Sequence, residues 1–497
     1  MQTFITAPFN GGIHPKSYKT MSNQRRIDES FWPQTVYLSL QLRNGAVLTP
    51  LVSVGEHVKR GQLIAVGKTG MVPPIHASVN GIVVDICKHI SGHPSKAKAE
   101  TIVIRANKDR SWSTTSVRSN IYNFSQQEII EKIESAGIVG LGGAGFPTAS
   151  KLKFAKQANV HTLVINGGEC EPYLTCDDMT MQEVGNEVIA GIRLMLIASG
   201  ADKAIVGIED NKREAFDKLT SLASDDLNID IVLVPSIYPM GSERHLIKAL
   251  LGVTVPLGKL STAIGILVNN IATAVAVYNA VRFNRPLVSR VITVSGKGIN
   301  QAGNIQTPIG TPVNDIIAHC EGLSEDTDRL IFGGPMMGQV ITSLKVPVDK
   351  CVGGILALTD TETKEPPHQE CIRCGQCVRA CPMGLMPFQM AAYSRVSDFK
   401  MVESLGVNAC LSCGACSYVC PSNLPLVQYF QYTKGVINSV KAKEKRSAQA
   451  KVLTEARKVR LEKEAEEKKA AKAAKAAARK KRAPKKSATK SKEAAND

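Results

Sequence analysis

The sequence predicts a multidomain chain of mixed α/β and β class. Three observations predict it. Short β-type runs separated by glycine turns fill residues 36–104. Helix-type and strand-type segments alternate from Ser125 to about Val281. Two cysteine runs of identical spacing lie at 371–382 and 410–421. The expected parts, in order, are an N-terminal segment (1–35), a small all-β module (36–110) and an α/β domain with a largely parallel sheet (120–285). A small α+β module (286–345), a linker (346–367), a cysteine-bearing helical domain (368–435) and a basic tail, helical or disordered (436–497), follow.

Composition sets the bounds. A chain of 497 residues with 43% apolar content can build several ordinary cores. Of 13 cysteines, eight sit in the two runs. The others (Cys87, Cys170, Cys176, Cys320, Cys351) are scattered, which is no disulfide framework. Free thiols point to a reducing cytosol. The start MQTFITAPFNGG has neither a basic opening nor an apolar run, so no secretory signal is expected. The stretch nearest to a membrane span, Ile264 to Val281, is interrupted by Asn269, Asn270 and Asn279. A soluble or peripheral protein is expected. The net charge of +17 is uneven: residues 441–497 hold 21 Lys and Arg against 8 Asp and Glu, or +13.

Each part has its own signals. The N-terminal segment carries turn formers such as Asn10-Gly11-Gly12 and His14-Pro15. In the β module, VYLSL, GQLIAVG and ETIVIRA read as strands between turns. The stretch VGEHVKRGQLIA followed by IHASVNGIV resembles the barrel-sandwich hybrid of biotinyl and lipoyl domains. The hairpin tip that carries the modified lysine in those domains is here Met71-Val72-Pro73-Pro74, with Lys68 off-register, so the module reads as structural. His57, His76, His89 and His93 are expected at the surface or in loops. In the α/β domain, SQQEIIEKIESAG predicts a helix with Ser125 as N-cap and Glu128 completing a capping box. MQEVGNEVIAGIRLMLIASG predicts one helix stopped at Gly200. HTLVING, KAIVGIED and DIVLVPS predict strands, and strands alternating with helices imply βαβ units.

The cysteines carry the most specific signal. Cys371, Cys374, Cys377, Cys381 and Pro382 spell C-x2-C-x2-C-x3-C-P, and Cys410, Cys413, Cys416, Cys420 and Pro421 repeat it 39 residues later. This is the thiolate spacing of a protein holding two [4Fe–4S] clusters, in which the fourth cysteine of each run serves the other cluster. One cluster is then expected on Cys371, Cys374, Cys377 and Cys420, the other on Cys410, Cys413, Cys416 and Cys381. Zinc sites pair two C-x2-C knuckles and have no use for a third cysteine and a Cys-Pro ending. Disulfides would need an oxidising compartment.

Upstream, four polar junctions stand out. GLGGAGFPT (Gly140–Thr148) can bring backbone amides close to an anion. The strand ending NGGECEP (Asn166–Pro172) sits where α/β sheets line a ligand crevice. YPMGSER (Tyr238–Arg244) and VNNIAT (Val268–Thr273) mark two further helix starts. Packing alone does not call for four such junctions in one domain.

Together these junctions resemble the flavoprotein, NADH-binding subunit of respiratory complex I. That resemblance implies FMN and NADH sites. By position, Gly140, Gly142, Gly143 and Lys151 would line the FMN phosphate and ring, and Asn166, Gly168 and Glu169 would follow the flavin. Asn269, Asn270 and Thr273 would take the ribityl phosphate. Phe146 would stack on the nicotinamide or adenine side, and Glu171 and Glu243 would face NADH. The complex I family carries an acidic residue where Gly168 stands and a second glutamate where Ser242 stands. No side-chain general base is expected, because a hydride passes directly between cofactors.

The order of parts resembles a second family more closely over residues 1–435. Its marks are the FNGGIHP start, the β module, the flavin-type domain, a soluble-ligand-binding β-grasp (SLBB) segment with GGPMMG (Gly333–Gly338), and the two-cluster domain. This is the RnfC (RsxC) family of Rnf/Rsx ion-translocating electron-transport complexes. It implies a peripheral subunit on the cytoplasmic side of a bacterial inner membrane that exchanges electrons with NAD(H) at FMN. It also implies relay through two [4Fe–4S] clusters toward the other subunits of the complex. Two alternatives stay open: a redox-sensing or assembly protein with a vestigial flavin site, and a soluble NADH dehydrogenase subunit of another complex. GGPMMG reads as a β-grasp turn or a nucleotide loop. The tail reads as a solvated helix or as a segment drawn to anionic lipid, with no motif for specific nucleic acid.

Overall fold

The structure, a computed structural model, describes residues 9–43, 45–68, 72–91, 97–114 and 116–481. It divides into two compact units, 1–430 and 431–497. Met71 and His93, named above, lie outside the described residues.

Among the described residues the β module has seven strands: β1 (Thr35–Ser39), β2 (Leu48–Pro50), β3 (His57–Val58), β4 (Leu63–Gly67), β5 (Ile75–His76), β6 (Gly81–Ile90) and β7 (Lys98–Ala106). They form two antiparallel sheets of order β1-β7-β6-β3 and β2-β4-β5. Alternation sends Val36 and Leu38 of β1 and Ile102 and Ile104 of β7 inward, where they meet Leu48, Ile64 and Ile75 in one core. His76 departs from the expectation of a surface histidine. It is buried on β5, and burial with Lys350 nearby pushes its imidazole down to about 3, so the ring is neutral.

The α/β domain runs α1 (Gln126–Ser135), α2 (Thr148–Gln157), β8 (Thr162–Gly167), α3 (Cys176–Glu183), α4 (Gly185–Ser199), β9 (Lys203–Glu209), α5 (Arg213–Leu222), β10 (Ile229–Val234), α6 (Glu243–Leu251), β11 (Ile266–Asn270) and α7 (Ile271–Phe283). Its four strands are all parallel, in the order β10-β9-β8-β11. Such a sheet must be apolar on both faces. Leu163 and Ile165 of β8 accordingly join the core under α4 and α7, while Val164 joins the core under α6. Ser125 caps α1 in the expected capping box, and Gly200 ends α4 at φ 72°. The single helix expected over 181–200 is two, α3 and α4, broken at Val184.

The next module is a five-stranded sheet of order β13-β12-β16-β14-β15, with β12 (Ser289–Ser295), β13 (Gly303–Pro308), α8 (Val313–His319), β14 (Thr327–Phe332), β15 (Gln339–Val340), β16 (Gly354–Thr359) and α9 (Asp360–Thr363). The expected linker at 346–367 is therefore wrong for its middle. GILALT is the central strand β16, parallel to β12 and antiparallel to β14. A strand buried on both faces lacks the alternation that marks a half-exposed one.

The cysteine region carries the short helices α10 (Gln376–Ala380), α11 (Pro387–Arg395), α12 (Phe399–Ser404) and α13 (Ala415–Tyr418), then α14 (Leu426–Lys481). The N-terminal segment is a brace. Ile13 bridges Tyr238, Tyr18 stacks on Tyr173 at 4.5 Å, and the buried Lys19 ammonium donates to the carbonyls of Glu169, Glu171 and Leu174.

Candidate functional site

The chain leaves β8 toward β9 and β10 on one side, and β11 lies on the other. The gap outside the carboxyl ends of β8 and β11 is thus the topological switch point, where open α/β sheets bind ligands. Asn270 pairs with Asn166 across this gap. All four junctions meet here. The Leu141 amide donates to Thr273 Oγ1 at 3.0 Å. Asn166 donates to the Gly241 carbonyl at 2.8 Å and accepts from the Gly168 amide at 2.9 Å. Lys151 donates to the Val268 carbonyl and lies 3.9 Å from Glu243. A Cβ on Gly142 would touch Asn270 at 3.4 Å, and one on Gly241 would strike the Gly168 carbonyl at 2.7 Å.

The geometry suits a phosphate-bearing cofactor. The glycine loop closes on itself through the Gly140 amide to the Phe146 carbonyl, at 2.8 Å. Gly143 takes φ +103° with nothing within 4 Å of its side-chain position. Among the described residues, the amides of Gly142, Gly143 and Ala144 donate to no protein acceptor, just before the N-terminus of α2. Asn269 Nδ2 is buried without a partner. Phe146 stands 45% exposed at the lip of the loop.

The carboxylates are more engaged with the protein than the sequence suggests. Glu169 accepts from the Asp177 amide at 3.0 Å, the Asp178 amide at 3.4 Å and the Cys176 thiol at 3.2 Å, so it caps α3. Glu171 accepts from the amides of Met336 and Met337 at 3.0 and 2.8 Å, in the turn between β14 and β15. Gly334 leaves room for it, since a Cβ there would lie 2.3 Å from Glu171 Oε2. GGPMMG is therefore a turn whose amides hold a carboxylate. Burial pushes the Glu171 carboxyl up to about 7 against those two amides. Asp177, which sequence reasoning missed, accepts from Asn270 Nδ2 at 2.6 Å. Burial, with Glu169 beside it, pushes the Asp177 carboxyl above the usual range. Its one sequence signal is the acidic pair Asp177-Asp178 opening a helix after NGGECEP. Lys19 gives no signal at all.

The eight cysteines stand around two cavities. Cys381, Cys410, Cys413 and Cys416 line one, and Cys371, Cys374, Cys377 and Cys420 line the other. Each cavity takes three cysteines from one run and the fourth from the other. No three side chains among the described residues converge tightly enough for a lone metal ion. Four thiols spaced around a cavity suit a multi-atom cluster. The two runs also share a backbone. Arg373 and Ser412 have φ 53° and 57°, and Gly375 and Gly414 have φ 75° and 81°, in each case 39 residues apart. Amides reach the sulfurs: the Ser412 amide, in the second of these turns, donates to Cys410 Sγ at 3.3 Å, and the Leu385 amide, after Gly384, donates to Cys381 Sγ at 3.4 Å. Burial pushes Cys413 up to about 11 and Cys416 up to about 12, so these thiols hold their protons until a positive centre replaces them.

The first of these cavities faces the α/β domain. Tyr238 donates to the Cys413 carbonyl at 2.7 Å, and His245 Nε2 lies 3.1 Å from the Pro382 carbonyl. The Gly12 amide donates to the Ala380 carbonyl at 3.0 Å, and a Cβ on Gly11 would strike the Cys381 carbonyl at 2.6 Å. Met336, beside the Glu171 turn, packs against Gly414. The second cavity opens outward, with Cys371 and Cys374 exposed and Ile372 67% exposed between them.

Comparison with known proteins gives four matches to protein families. Residues 7–109 match the RnfC barrel sandwich hybrid domain, and 133–279 match the Nuo51 FMN-binding domain. Residues 291–340 match the SLBB domain, and 370–424 match the 4Fe-4S dicluster domain. The chain is 44% identical over 429 residues to the C subunit of the ion-translocating oxidoreductase complex of Rhodobacter capsulatus, covering 86% of this chain and 83% of that one. It is 39% identical over 457 residues to the protein of the same name from Actinobacillus succinogenes, covering 92% and 65%. Among solved structures, an NAD+-reducing [NiFe]-hydrogenase in the air-oxidized state is similar at TM-score 0.45 and 22% identity, over 56% of this chain and 54% of that one.

Proposed function

The chain belongs to the RnfC family of ion-translocating oxidoreductase complexes, and we propose how its residues serve electron transfer between NAD(H) and the other subunits. FMN and two [4Fe–4S] clusters, when bound, connect a two-electron hydride carrier to one-electron acceptors. The unpartnered loop amides of Gly142 and Gly143, with Asn269, Asn270 and Thr273, hold the flavin phosphate. Lys151 and Glu243 flank the flavin, and Asn166 and Gly168 fix the edge of its pocket. Phe146, at the exposed lip, covers the nicotinamide side. Glu169 and Asp177 act by positioning: one holds α3, the other orients Asn270. Glu171 ties the flavin-side strand end to the turn that packs on Gly414.

Cys381, Cys410, Cys413 and Cys416 form the inner cluster site, and Cys371, Cys374, Cys377 and Cys420 the outer one. The observation that carries this reading is the contact of the first cavity with the α/β domain through Tyr238 and His245, together with the exposure of the second. The order is thus flavin pocket, inner cysteines, outer cysteines, partner subunit. A vestigial flavin site is disfavoured, because all four junctions still converge. The subunit belongs to a membrane complex, and among the described residues no helix is long and apolar enough to cross a membrane. A peripheral position on the cytoplasmic side of the inner membrane follows as part of this proposal.

The test is anaerobic reconstitution with iron, sulfide and FMN, followed by optical and EPR titration with NADH. The expected result is bleaching of bound flavin and two reducible cluster signals. Flavin that NADH fails to bleach, or iron far below two full clusters, would overturn the reading.

A further inference from the structure

Both tryptophans of the chain, Trp32 and Trp112, lie at one seam that the redox site does not use. Trp32 comes from the N-terminal segment and Arg60 from the turn between β3 and β4. Arg110 and Trp112 follow β7, and Phe283 and Arg285 lie at and just beyond the end of α7. Their side chains alternate in a row. The Arg110 and Arg60 guanidinium groups stand 5.0 and 5.3 Å from the Trp32 ring centre. Arg60 is also 4.2 Å from the Trp112 ring, and Arg285 is 4.9 Å from Trp112 and 4.7 Å from Phe283. Gly61 permits the closure, since a Cβ there would press on Trp112 at 3.3 Å and Pro286 at 3.4 Å.

Three like charges are gathered here, and the neighbouring carboxylate, Asp109, is taken up by Asn80 at 3.1 Å and by the Ser111 amide and hydroxyl at 2.9 and 2.7 Å. Arg110 spends its donors on the carbonyls of Glu29 and Ser30, and Arg60 donates to the Arg110 carbonyl at 3.3 Å. Among the described residues, none of the three makes an ion pair, and the Nε atoms of Arg60 and Arg285 are buried without an acceptor. Burial, with Arg285 and Arg110 close by, pushes the Arg60 guanidinium down to about 10. Ring faces and the carbonyl end of α7 offset part of this cost. Neither gives the guanidinium edges an acceptor. Those edges present donors in the fork that matches an oxyanion. Arg60, Arg285 and Trp112 are half-buried, so the row lies at the surface with part of each side chain open to solvent.

We propose that this row is a binding site for a phosphate-type oxyanion, taken from free phosphate or from a lipid headgroup, with Arg60 and Arg285 as its principal donors. Because both tryptophans belong to the row, tryptophan emission of the full-length, cofactor-loaded protein reports on this site, and the tryptophan-free basic tail adds nothing to the signal. One arm titrates inorganic phosphate against sodium chloride at matched ionic strength. The other titrates short-chain phosphatidylglycerol kept below micelle formation. A saturable emission change is expected in at least one arm, assigning the source. Its midpoint should rise about tenfold or more in Arg60→Gln and in Arg285→Gln, as for loss of a charge-assisted pair. Arg285→Lys, which keeps charge but not the planar fork, should fall between. Arg43→Gln, which breaks the separate ion pair with Asp349, should change nothing. A response that follows ionic strength alone, one left intact by both Gln variants, or no saturable change in either arm would overturn the proposal. If a Gln variant loses its cooperative melt, Arg285→Lys carries the comparison.

Discussion

Asn270 serves two elements with one amide. Its oxygen accepts from the Ala272 amide at 2.9 Å and caps α7, and its nitrogen meets Asp177, so the group cannot flip. Asn270→Ala should cost about 1 kcal/mol for the cap and about 1–3 kcal/mol for leaving a buried acceptor unmade. The denaturation midpoint should fall and flavin should be lost on gel filtration. Wild-type flavin retention would sink this role. Glu171 makes a pH prediction. Its folded carboxyl sits at about 7, above the ordinary value of 4.5. The folded state therefore holds a proton that the unfolded chain has released, and this contribution to stability is lost as pH rises from about 4.5 to 7. One proton is worth at most about 1.4 kcal/mol per pH unit, and less here because the side chain is only half-buried. Glu171→Gln should flatten the wild-type decline of urea midpoints between pH 5 and pH 8, and an unchanged slope would remove Glu171 as its source. NGGECEP marked Glu171 as polar and important. Its true partners were illegible, because Met336 lies 165 residues away and offers only backbone.

At the scale of elements, the signals that could be read were local. The capping box at Ser125, the stop at Gly200 and the strand ends at Asn166 and Asn270 are each written within a few residues. The strand β16 was not, because its apolar run next to Pro366-Pro367 has neither alternation nor a nearby pairing strand. Gly191 was equally silent. In a helix it looks like a weakness, yet a Cβ there would fall 2.0 Å from the Ala274 carbonyl, so it is what lets α4 lie against α7. Gly191→Ala should gain about 1 kcal/mol in helix propensity and lose about 1–3 kcal/mol or more to overpacking. A net drop in stability, with weaker flavin binding as α7 moves, is expected in denaturant melts. A net gain would mean that the two helices have room to part. The cysteine repeat was legible because its spacing is covalent, and its crossing makes the next prediction. Cys381→Ser should remove the cluster of the second run and leave that of the first, and Cys420→Ser should do the reverse. Iron analysis with EPR of the remaining signal decides between crossed and uncrossed sets.

For the whole molecule, charge and chemistry occupy different parts of the chain. Every candidate cofactor residue lies at or before Cys420, whereas residues 441–497 hold 21 basic against 8 acidic side chains. The helix α14 carries much of that charge, and its exposed large apolar residues, Tyr432, Val440, Val452, Leu453, Val459 and Leu461, are too irregularly spaced for a coiled-coil seam. A basic helix without a seam is suited to a charged plane. Each Lys or Arg near an anionic leaflet contributes about 1 kcal/mol, screened over roughly 8 Å at physiological salt. A chain ending at Lys441 should therefore keep its iron and flavin. It should lose most of its sedimentation with phosphatidylglycerol vesicles, and neither form should bind phosphatidylcholine. Binding of the full chain should weaken steeply as salt rises, because no apolar insertion supports it. If the shortened chain sediments as well as the full one, the membrane is reached through the folded body or the partner subunits, and the tail's charge has another use.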